Sequence, residues 1–398
     1  MTPAGVAPIQ LAEYQTTRLP HAALSDAEGA MLWRTYGNYV AVEFPSPKTE
    51  QQWELTPLGW VGYIPLDASR VLALEPKVAL CNLFGMLEYA YRLSSLKFLP
   101  DLVHTQSLAE FYESLADILA KRVLDRARKG FYRTYLDRAE QLPYITGRLN
   151  TQRLLQRPWD IQPHCEYQEH TADIEENQLL AWTLRRILHS GLCQRTLPTL
   201  RRAYHALAGF TTLVPFSPQA CVGRLYNRLN EDYQPLHALC RFFLEHSGPG
   251  HQVGEHTFLP FLVNMARLYE LFVAEWLKQH LSPERFRVQA QERVTLGTSQ
   301  ELHFDIDLTL YDVCTGEAVC VLDTKYKAPD KPANADIFQV VAYAEVKHCR
   351  EAVLIYPTAV PFDERLGEMR VRSLTFATAG DLEKAGQAFL AQLGSLFP

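Results

Sequence analysis

The chain has 398 residues, of which 47% are hydrophobic and 21% charged, which is the balance of an ordinary globular protein. Its net charge of −6 argues only weakly against a nucleic-acid partner, because a local basic face can bind within an acidic chain. The eight cysteines include no C-x-x-C pair, and no apolar run approaches the roughly 20 residues of a membrane span. We therefore expect a reduced cytoplasmic protein of two or three domains, without a signal peptide.

The first 80 residues are predicted to be rich in β-structure. Short strand patterns separated by Pro, Gly and polar clusters occur in YVAVEF, GWVGYIPL and RVLALEPKV. Trp53 and Trp60 lie in this region, where an aromatic side chain serves either a hydrophobic core or a docking surface. We expect an N-terminal β-rich domain over residues 1–80.

Helical periodicity begins at about Leu83. Apolar residues recur at three- and four-residue spacing in LFGMLEYAYRL, LAEFYESLADILAKRVLDRARKGFYRTYLDRAEQL and ENQLLAWTLRRIL. The stretch EHSGPGHQVGEH, residues 245–256, has three glycines and little apolar content, so it is the best candidate for a linker. These patterns predict a mainly helical middle region over residues 81–248.

The middle region concentrates positive charge. Between Lys121 and Arg157 there are ten basic residues and three acidic ones, and Tyr132, Tyr135 and Tyr144 are interleaved. Such a region can neutralise DNA phosphates without reading sequence, and an ordinary solvated helix face explains the same pattern.

The last part of the chain alternates strand and helix patterns. One strong helix is predicted in FLPFLVNMARLYELFVAEWLKQHL, and strands are predicted in FRVQAQERVTL, HFDIDLTLYD, AVCVLDTKYK and EAVLIYP. Further helices are predicted in ADIFQVVAYAEVK and DLEKAGQAFLAQL. This order predicts an α/β domain with a mixed central sheet over residues 249–398, and an α+β multidomain chain as a whole.

Two of the predicted strands carry acidic residues at one end. Strict alternation puts Asp305 and Asp307 on one face of the first strand, and Asp323 and Lys325 share a face of the next. A hairpin between them can bring Asp305, Asp323 and Lys325 together, with Asp307 as the rival to Asp305. Converging carboxylates bind Mg²⁺, and a neighbouring lysine can orient or deprotonate an attacking water. The pattern indicates metal-assisted phosphodiester hydrolysis, although Asp-x-Lys alone is more often a surface ion pair.

Two helices supply further polar residues. Glu270 lies at the edge of an apolar stripe, where it is either a ligand or a solvated carboxylate. Gln339 and Tyr343 are one turn apart on the helix after the second strand, where they either contact substrate or pack. The order of acidic helix, acidic strand, D-x-K strand and Q-x-x-x-Y helix resembles the PD-(D/E)xK nuclease core, a restriction-endonuclease-like fold.

Longer stretches resemble the McrC family, the nuclease subunit of the McrBC 5-methylcytosine-dependent (type IV) restriction system. They run from about residue 70 to 345 and comprise LEPKVALCNLFGMLEYAYRL, RKGFYRTYLDRAEQLPYITGRLN, CEYQEHTADIEENQLLAWTL and VLDTKYK. Phe304 stands where the family usually has proline. The resemblance implies a magnesium site, which Mn²⁺ can also fill, with the ligands Asp305, Asp323 and Glu270. It implies a catalytic set of Asp305, Asp323, Lys325, Glu270, Gln339 and Tyr343.

The same resemblance implies the partners. They are a McrB-like AAA+ GTPase hexamer and double-stranded DNA carrying modified cytosine, with no membrane. The chain lacks the P-loop motif G-x-x-x-x-G-K-[ST], so the partner is expected to hydrolyse GTP and the N-terminal domain to dock on it. Two alternatives stay open: a non-catalytic adaptor that activates the motor, and a stand-alone DNA repair-type nuclease.

Overall fold

The computed structural model describes residues 8–67, 70–93, 107–157, 159–253, 256–296 and 302–397. The chain divides into two compact units, one of residues 112–247 and one that joins the residues up to 111 with those from 248 onward. The division at 247 lies within the stretch predicted as a linker. The N-terminal strands share a compact unit with the C-terminal part. The division into three domains at residues 80 and 248 stays a prediction.

The described residues form helices and strands in a mixed order, which confirms an α+β architecture. The helices are α1 (Asp26–Tyr36), α2 (Leu80–Ala90), α3 (Leu108–Lys129), α4 (Thr151–Gln156), α5 (Glu175–Leu188), α6 (Leu197–Ala208), α7 (Tyr233–His246), α8 (Met265–His280), α9 (Asn334–Val346) and α10 (Leu382–Gly394). The strands are β1 (Ile9–Ala12), β2 (Thr17–Pro20), β3 (Val40–Glu43), β4 (Gln52–Pro57), β5 (Trp60–Pro65), β6 (Val71–Glu75), β7 (Thr134–Gln141), β8 (Arg148–Leu149), β9 (His164–Thr171), β10 (His251–Val253), β11 (His256–Phe258), β12 (Phe261–Asn264), β13 (Phe286–Leu296), β14 (Leu302–Asp312), β15 (Ala318–Thr324), β16 (Glu351–Tyr356), β17 (Asp363–Leu366) and β18 (Met369–Thr375). Over these residues, the helices lack the combination of length and apolar character that crossing a membrane would need.

The N-terminal strands form two small sheets around one hydrophobic core. A three-stranded sheet has the order β2-β4-β3, and a four-stranded sheet has the order β1-β6-β5-β12. Trp53 is fully buried in the core with Leu32 and Tyr36 of α1. The ring of Trp60 meets Tyr39 edge-on, with 4.6 Å between the ring centroids. Trp53 therefore serves the core, and Trp60 packs beside it while partly buried, so a docking role for this region stays a prediction.

Two predicted helices are shorter than expected. The long helix predicted from residue 108 ends at Lys129, because Gly130 takes a left-handed conformation (φ +89°) that stops a helix. Part of the middle region then forms the sheet β7-β9-β8. The helix predicted across FLPFLVN begins only after Asn264, whose side chain accepts a hydrogen bond from the Arg267 N–H. The preceding residues form β12, which pairs with β5.

The C-terminal part is built on a six-stranded mixed sheet, with the order β13-β14-β15-β16-β18-β17. The first three strands are antiparallel, and β15, β16 and β18 are parallel. Helix α9 connects β15 to β16 and packs on both, while α8 packs on β13 and β15. Strands β13 to β16 and helices α9 and α10 agree with the sequence prediction, whereas β17 and β18 were not predicted.

Candidate functional site

A buried carboxylate lies at the second-to-last position of strand β15. Cys320, Val321 and Leu322 are fully buried, and Asp323, which follows them, is also 0% exposed. The Lys325 ammonium Nζ lies 2.6 Å from Asp323 Oδ2. Among the described residues, Lys325 is the one side chain that offers a donor to the Asp323 oxygens. A charge that is costly to bury is therefore held against a single neighbouring cation.

Asp307 lies beside Asp323. Leu308 pairs with Leu322 in the β14–β15 ladder, so the next position outward puts Asp307 next to Asp323. The carboxylate oxygen Asp307 Oδ2 accepts hydrogen bonds from Thr324 N and Thr324 Oγ1, both at 2.9 Å. Asp307 is thereby fixed at the junction of the two strands.

Asp305 does not join this cluster, contrary to the sequence expectation. Its exposed carboxylate forms a bidentate pair with Arg293, with Nε–Oδ1 at 2.7 Å and Nη2–Oδ2 at 3.0 Å. Hydrogen bonds from Arg293 lower the pKa of Asp305. The place that the sequence prediction gave to Asp305 is taken by Asp307.

The reason is a break in the alternation of strand β14. Ile306 packs in the same hydrophobic core as Val321, and the ladder partner of Val321 is Thr309. Residues directly opposite each other share a face of a sheet, so Ile306 and Thr309 face the same side although they are three positions apart. Strict alternation therefore fails at Asp307, and the prediction that Asp305 and Asp307 share a face fails with it.

Glu270 of helix α8 completes the acidic cluster. Burial and the charges of Asp307 and Asp323 raise the pKa of Glu270 to about 7. Burial and Asp307 likewise raise the pKa of Asp323 to about 7. Burial alone would lower the pKa of Lys325, but the carboxylates, Asp323 first, raise it overall. The cluster therefore holds more negative charge than Lys325 neutralises.

Lys325 is also held from helix α9. Its Nζ donates to Gln339 Oε1 at 3.0 Å, and Gln339 Nε2 donates to the Tyr343 hydroxyl at 2.7 Å. The ring of Phe304 packs edge-on against Tyr343, with 5.3 Å between the ring centroids. The structure thus brings five of the six predicted site residues together and leaves Asp305 outside.

The chemistry of this cluster suits a hard divalent cation. Glu270, Asp307 and Asp323 offer carboxylate oxygens, the ligands that Mg²⁺ prefers, and in the described part of the chain the buried Asp323 oxygens have no donor besides Lys325. As the side chains stand, no group of three or more His, Cys, Asp or Glu among the described residues is arranged to hold a metal ion. The Lys325 ammonium lies against Asp323 Oδ2 within the cluster.

Four of the ten basic residues between Lys121 and Arg157 form ion pairs. Lys121, Arg126, Arg128 and Arg138 each contact a carboxylate within 3.2 Å. Tyr135 and Tyr144 are exposed. A DNA contact through this region stays a prediction.

Three residues of the site were not predicted. Thr324 fixes Asp307, and Arg267 and Gln291 both donate hydrogen bonds to Glu270 Oε1, at 2.7 and 3.0 Å. Counting the ladder back from the turn after β14 does not find Asp307, because the register of β14 and β15 shifts between Leu310 and Tyr311. No local pattern marks Gln291, because its partner lies on another element.

These features define a two-unit α+β protein whose mixed sheet carries a buried acidic–lysine cluster where β14 and β15 meet. Residues 55–357 match the family described as McrBC 5-methylcytosine restriction system component. The match covers more than half of the chain, so the protein belongs to this family.

Two relatives agree with this assignment. A curated protein of Escherichia coli (strain K12), "Type IV methyl-directed restriction enzyme EcoKMcrBC", is 24% identical over 268 residues, which cover 63% of this chain and 74% of that protein. A chain from an assembly of Thermococcus gammatolerans McrB AAA+ hexamers with bound McrC shares the fold with a TM-score of 0.55 and 16% identity. That match covers 98% of this chain and all of the other. The McrC-like character predicted from the sequence is confirmed.

Proposed function

We propose that this protein is the Mg²⁺-dependent DNA endonuclease subunit of a modification-dependent restriction complex. The observation that carries the proposal is the buried Asp323 carboxylate against Lys325, in one cluster with Glu270 and Asp307. Phosphodiester hydrolysis needs charge compensation at the phosphate and an oriented water, and this set of side chains can supply both. Membership of a restriction-system family supports the same reading.

The proposed ligands are Asp307, Asp323 and Glu270, with Asp307 in place of Asp305 in a PD-(D/E)xK type of core. When bound, Mg²⁺ supplies a Lewis acid that offsets the negative charge of the phosphodiester; Mn²⁺ is expected to substitute. Lys325 orients the attacking water and offsets negative charge on the phosphate through its ammonium. Gln339 holds the Lys325 ammonium in position through its 3.0 Å hydrogen bond.

A motor partner is part of the proposal. The solved assembly with a similar fold contains McrB AAA+ hexamers with bound McrC. We infer that this chain docks through its N-terminal β-rich part on a McrB-like, GTP-hydrolysing hexamer. The complex would act in the cytoplasm on double-stranded DNA carrying modified cytosine.

The test is cleavage by the reconstituted complex of this protein with a McrB-type GTPase. D323A and K325A are each expected to lower the cleavage rate of methylated plasmid by about 10³-fold, while stimulation of GTP hydrolysis is kept. E317A is a matched control, since it removes an exposed carboxylate from the same hairpin. It is expected to cut at the wild-type rate.

The other outcomes identify the alternatives. Full cleavage by both D323A and K325A, with GTP hydrolysis stimulated as usual, would assign the protein as a non-catalytic adaptor. Cleavage of unmodified plasmid by the purified protein with Mg²⁺ alone would assign it as a stand-alone nuclease.

A further inference from the structure

Gln291 lies in strand β13 at the level of the acidic cluster. In the β13–β14 ladder, Ala290 pairs with Leu308 and Glu292 pairs with Ile306. The position between these pairs sets Gln291 opposite Asp307, and no ladder pair forms there. Gln291 therefore reaches the cluster from the strand next to β14.

The backbone of Gln291 is left-handed, with φ +53° inside a strand. Non-glycine residues with long side chains rarely adopt this conformation, which persists only when the surroundings impose it. The conformation has a structural cause, because β13 changes face here together with β14. Leu308 pairs with Leu322, which faces away from Val321, whereas Ile306 packs with Val321.

A change of face does not by itself call for glutamine. Glycine and asparagine adopt left-handed conformations at lower cost, so glutamine is an unfavourable choice for the backbone alone. Gln291 is exposed, so burial of its side chain does not compensate for the backbone conformation. The contact made by the Gln291 carboxamide is therefore what distinguishes glutamine from glycine or asparagine at this position.

That contact is with Glu270. The Gln291 amide Nε2 donates to Glu270 Oε1 at 3.0 Å, and Arg267 Nη1 donates to the same oxygen at 2.7 Å. From the described residues, Glu270 Oε2 receives no hydrogen bond. The two donors thus fix the rotation of the carboxylate with one oxygen engaged and the other available.

We propose that Gln291 is a positioning residue that orients Glu270, so that Oε2 is presented to the cation. This inference rests on the proposed function, and it adds a residue that touches neither the cation nor the substrate. Arg267 pairs with Glu270 within one helix, as many exposed i,i+3 pairs do, and its charge competes with a cation. The neutral carboxamide of Gln291 fixes the direction of the carboxylate without neutralising it.

The test compares two glycine substitutions in β13. Q291G removes the carboxamide and relieves the left-handed backbone. We expect an unfolding temperature equal to or above that of wild type, and a Kd for Mn²⁺, measured by calorimetric titration of the full chain, raised about 10-fold or more. The concentration of Mg²⁺ for half-maximal cleavage by the reconstituted complex should rise in parallel.

Q289G is the matched control, because Gln289 is an exposed glutamine two residues away that pairs normally with Thr309. Glycine there should lower the unfolding temperature and leave the Mn²⁺ affinity unchanged. A purely structural role for Gln291 predicts the reverse for Q291G, namely a loss of thermal stability that accompanies any loss of affinity. That result overturns the inference.

Failure of the inference is distinct from failure of the proposed function. If wild type binds Mn²⁺, D323A does not, and Q291G binds within about two-fold of wild type, the positioning role is wrong and the nuclease proposal stands. If wild type binds no Mn²⁺ and cuts without divalent ions, both are wrong.

Discussion

Two charged clusters on the six-stranded sheet differ in how their carboxylates are satisfied. In the first, Glu292 Oε1 accepts from the Lys347 ammonium, and the Tyr311 hydroxyl contacts both Glu292 oxygens, at 3.0 and 2.8 Å. In the second, the buried Asp323 carboxylate has the contact with the Lys325 ammonium and no further donor in the described part of the chain.

The ionisation of the two carboxylates differs accordingly. Burial raises the pKa of Glu292, but the bonds from Lys347 and Tyr311 outweigh burial and lower it overall. Burial and Asp307 raise the pKa of Asp323 to about 7. The first cluster is complete within the protein, whereas the second is short of positive charge, as expected of a site that awaits a cation.

A large difference is expected between the two aspartates of strand β14, Asp307 and Asp305. D307A should lower the cleavage rate of the reconstituted complex by about 10²-fold or more, because Asp307 lies in the acidic cluster. D305A should change the rate less than about three-fold, because the Asp305 carboxylate pairs with Arg293 at the surface. Plasmid cleavage assays of both variants decide between them, and equal losses would return Asp305 to the site.

Cation affinity should decrease steeply as the pH is lowered below about 7, because the pKa of Glu270 and the pKa of Asp323 are both about 7. Ligation needs ionised carboxylates, so each proton taken up weakens Mn²⁺ binding, by about 10-fold per pH unit. Calorimetric titrations over a pH series measure this slope. E270Q should bind weakly with a shallower dependence. An affinity that stays flat from above pH 7 to well below it would show that neither carboxylate binds the ion.

Substitutions in the two clusters should change the free energy of unfolding in opposite directions. The folded-state pKa of Asp323 is raised, so the metal-free protein loses stability as the pH rises towards about 7, where this carboxylate ionises. D323N should therefore raise the free energy of unfolding at alkaline pH by about 1 kcal/mol, with less effect in acid. K347M should lower it by about 1–3 kcal/mol, since Glu292 loses its cation. Chemical denaturation of both variants measures these changes; destabilisation by D323N at alkaline pH would contradict the comparison.

The smallest effects are expected in the support of Lys325. Q339A removes the hydrogen bond to Nζ and should lower the cleavage rate about 10-fold. Y343F removes only the acceptor of the Gln339 amide and should cost about three-fold. Single-turnover cleavage by the two variants tests this order. A larger loss for Y343F than for Q339A would mean that Tyr343 acts directly.

Local patterns were sufficient for much of the C-terminal fold. The periodicity of apolar residues marked β13 to β16, α9 and α10, and two side chains one helical turn apart marked Gln339 and Tyr343. The same periodicity predicted a helix that continues beyond the end of α3, because a pattern of apolar residues does not show the left-handed conformation of Gly130. It also missed that β12 pairs with β5, because the two strands are about 200 residues apart.

The sequence by itself determined which residues carry charge and which local element each belongs to, because spacing along a chain fixes the face of a helix and the order of strands. Only the tertiary structure decided that Asp307 rather than Asp305 meets Asp323, and that Gln291 meets Glu270. Both outcomes depend on two neighbouring strands changing face at one level. Such a break is imposed by the packing of each strand against its neighbours, so no periodicity within one strand records it.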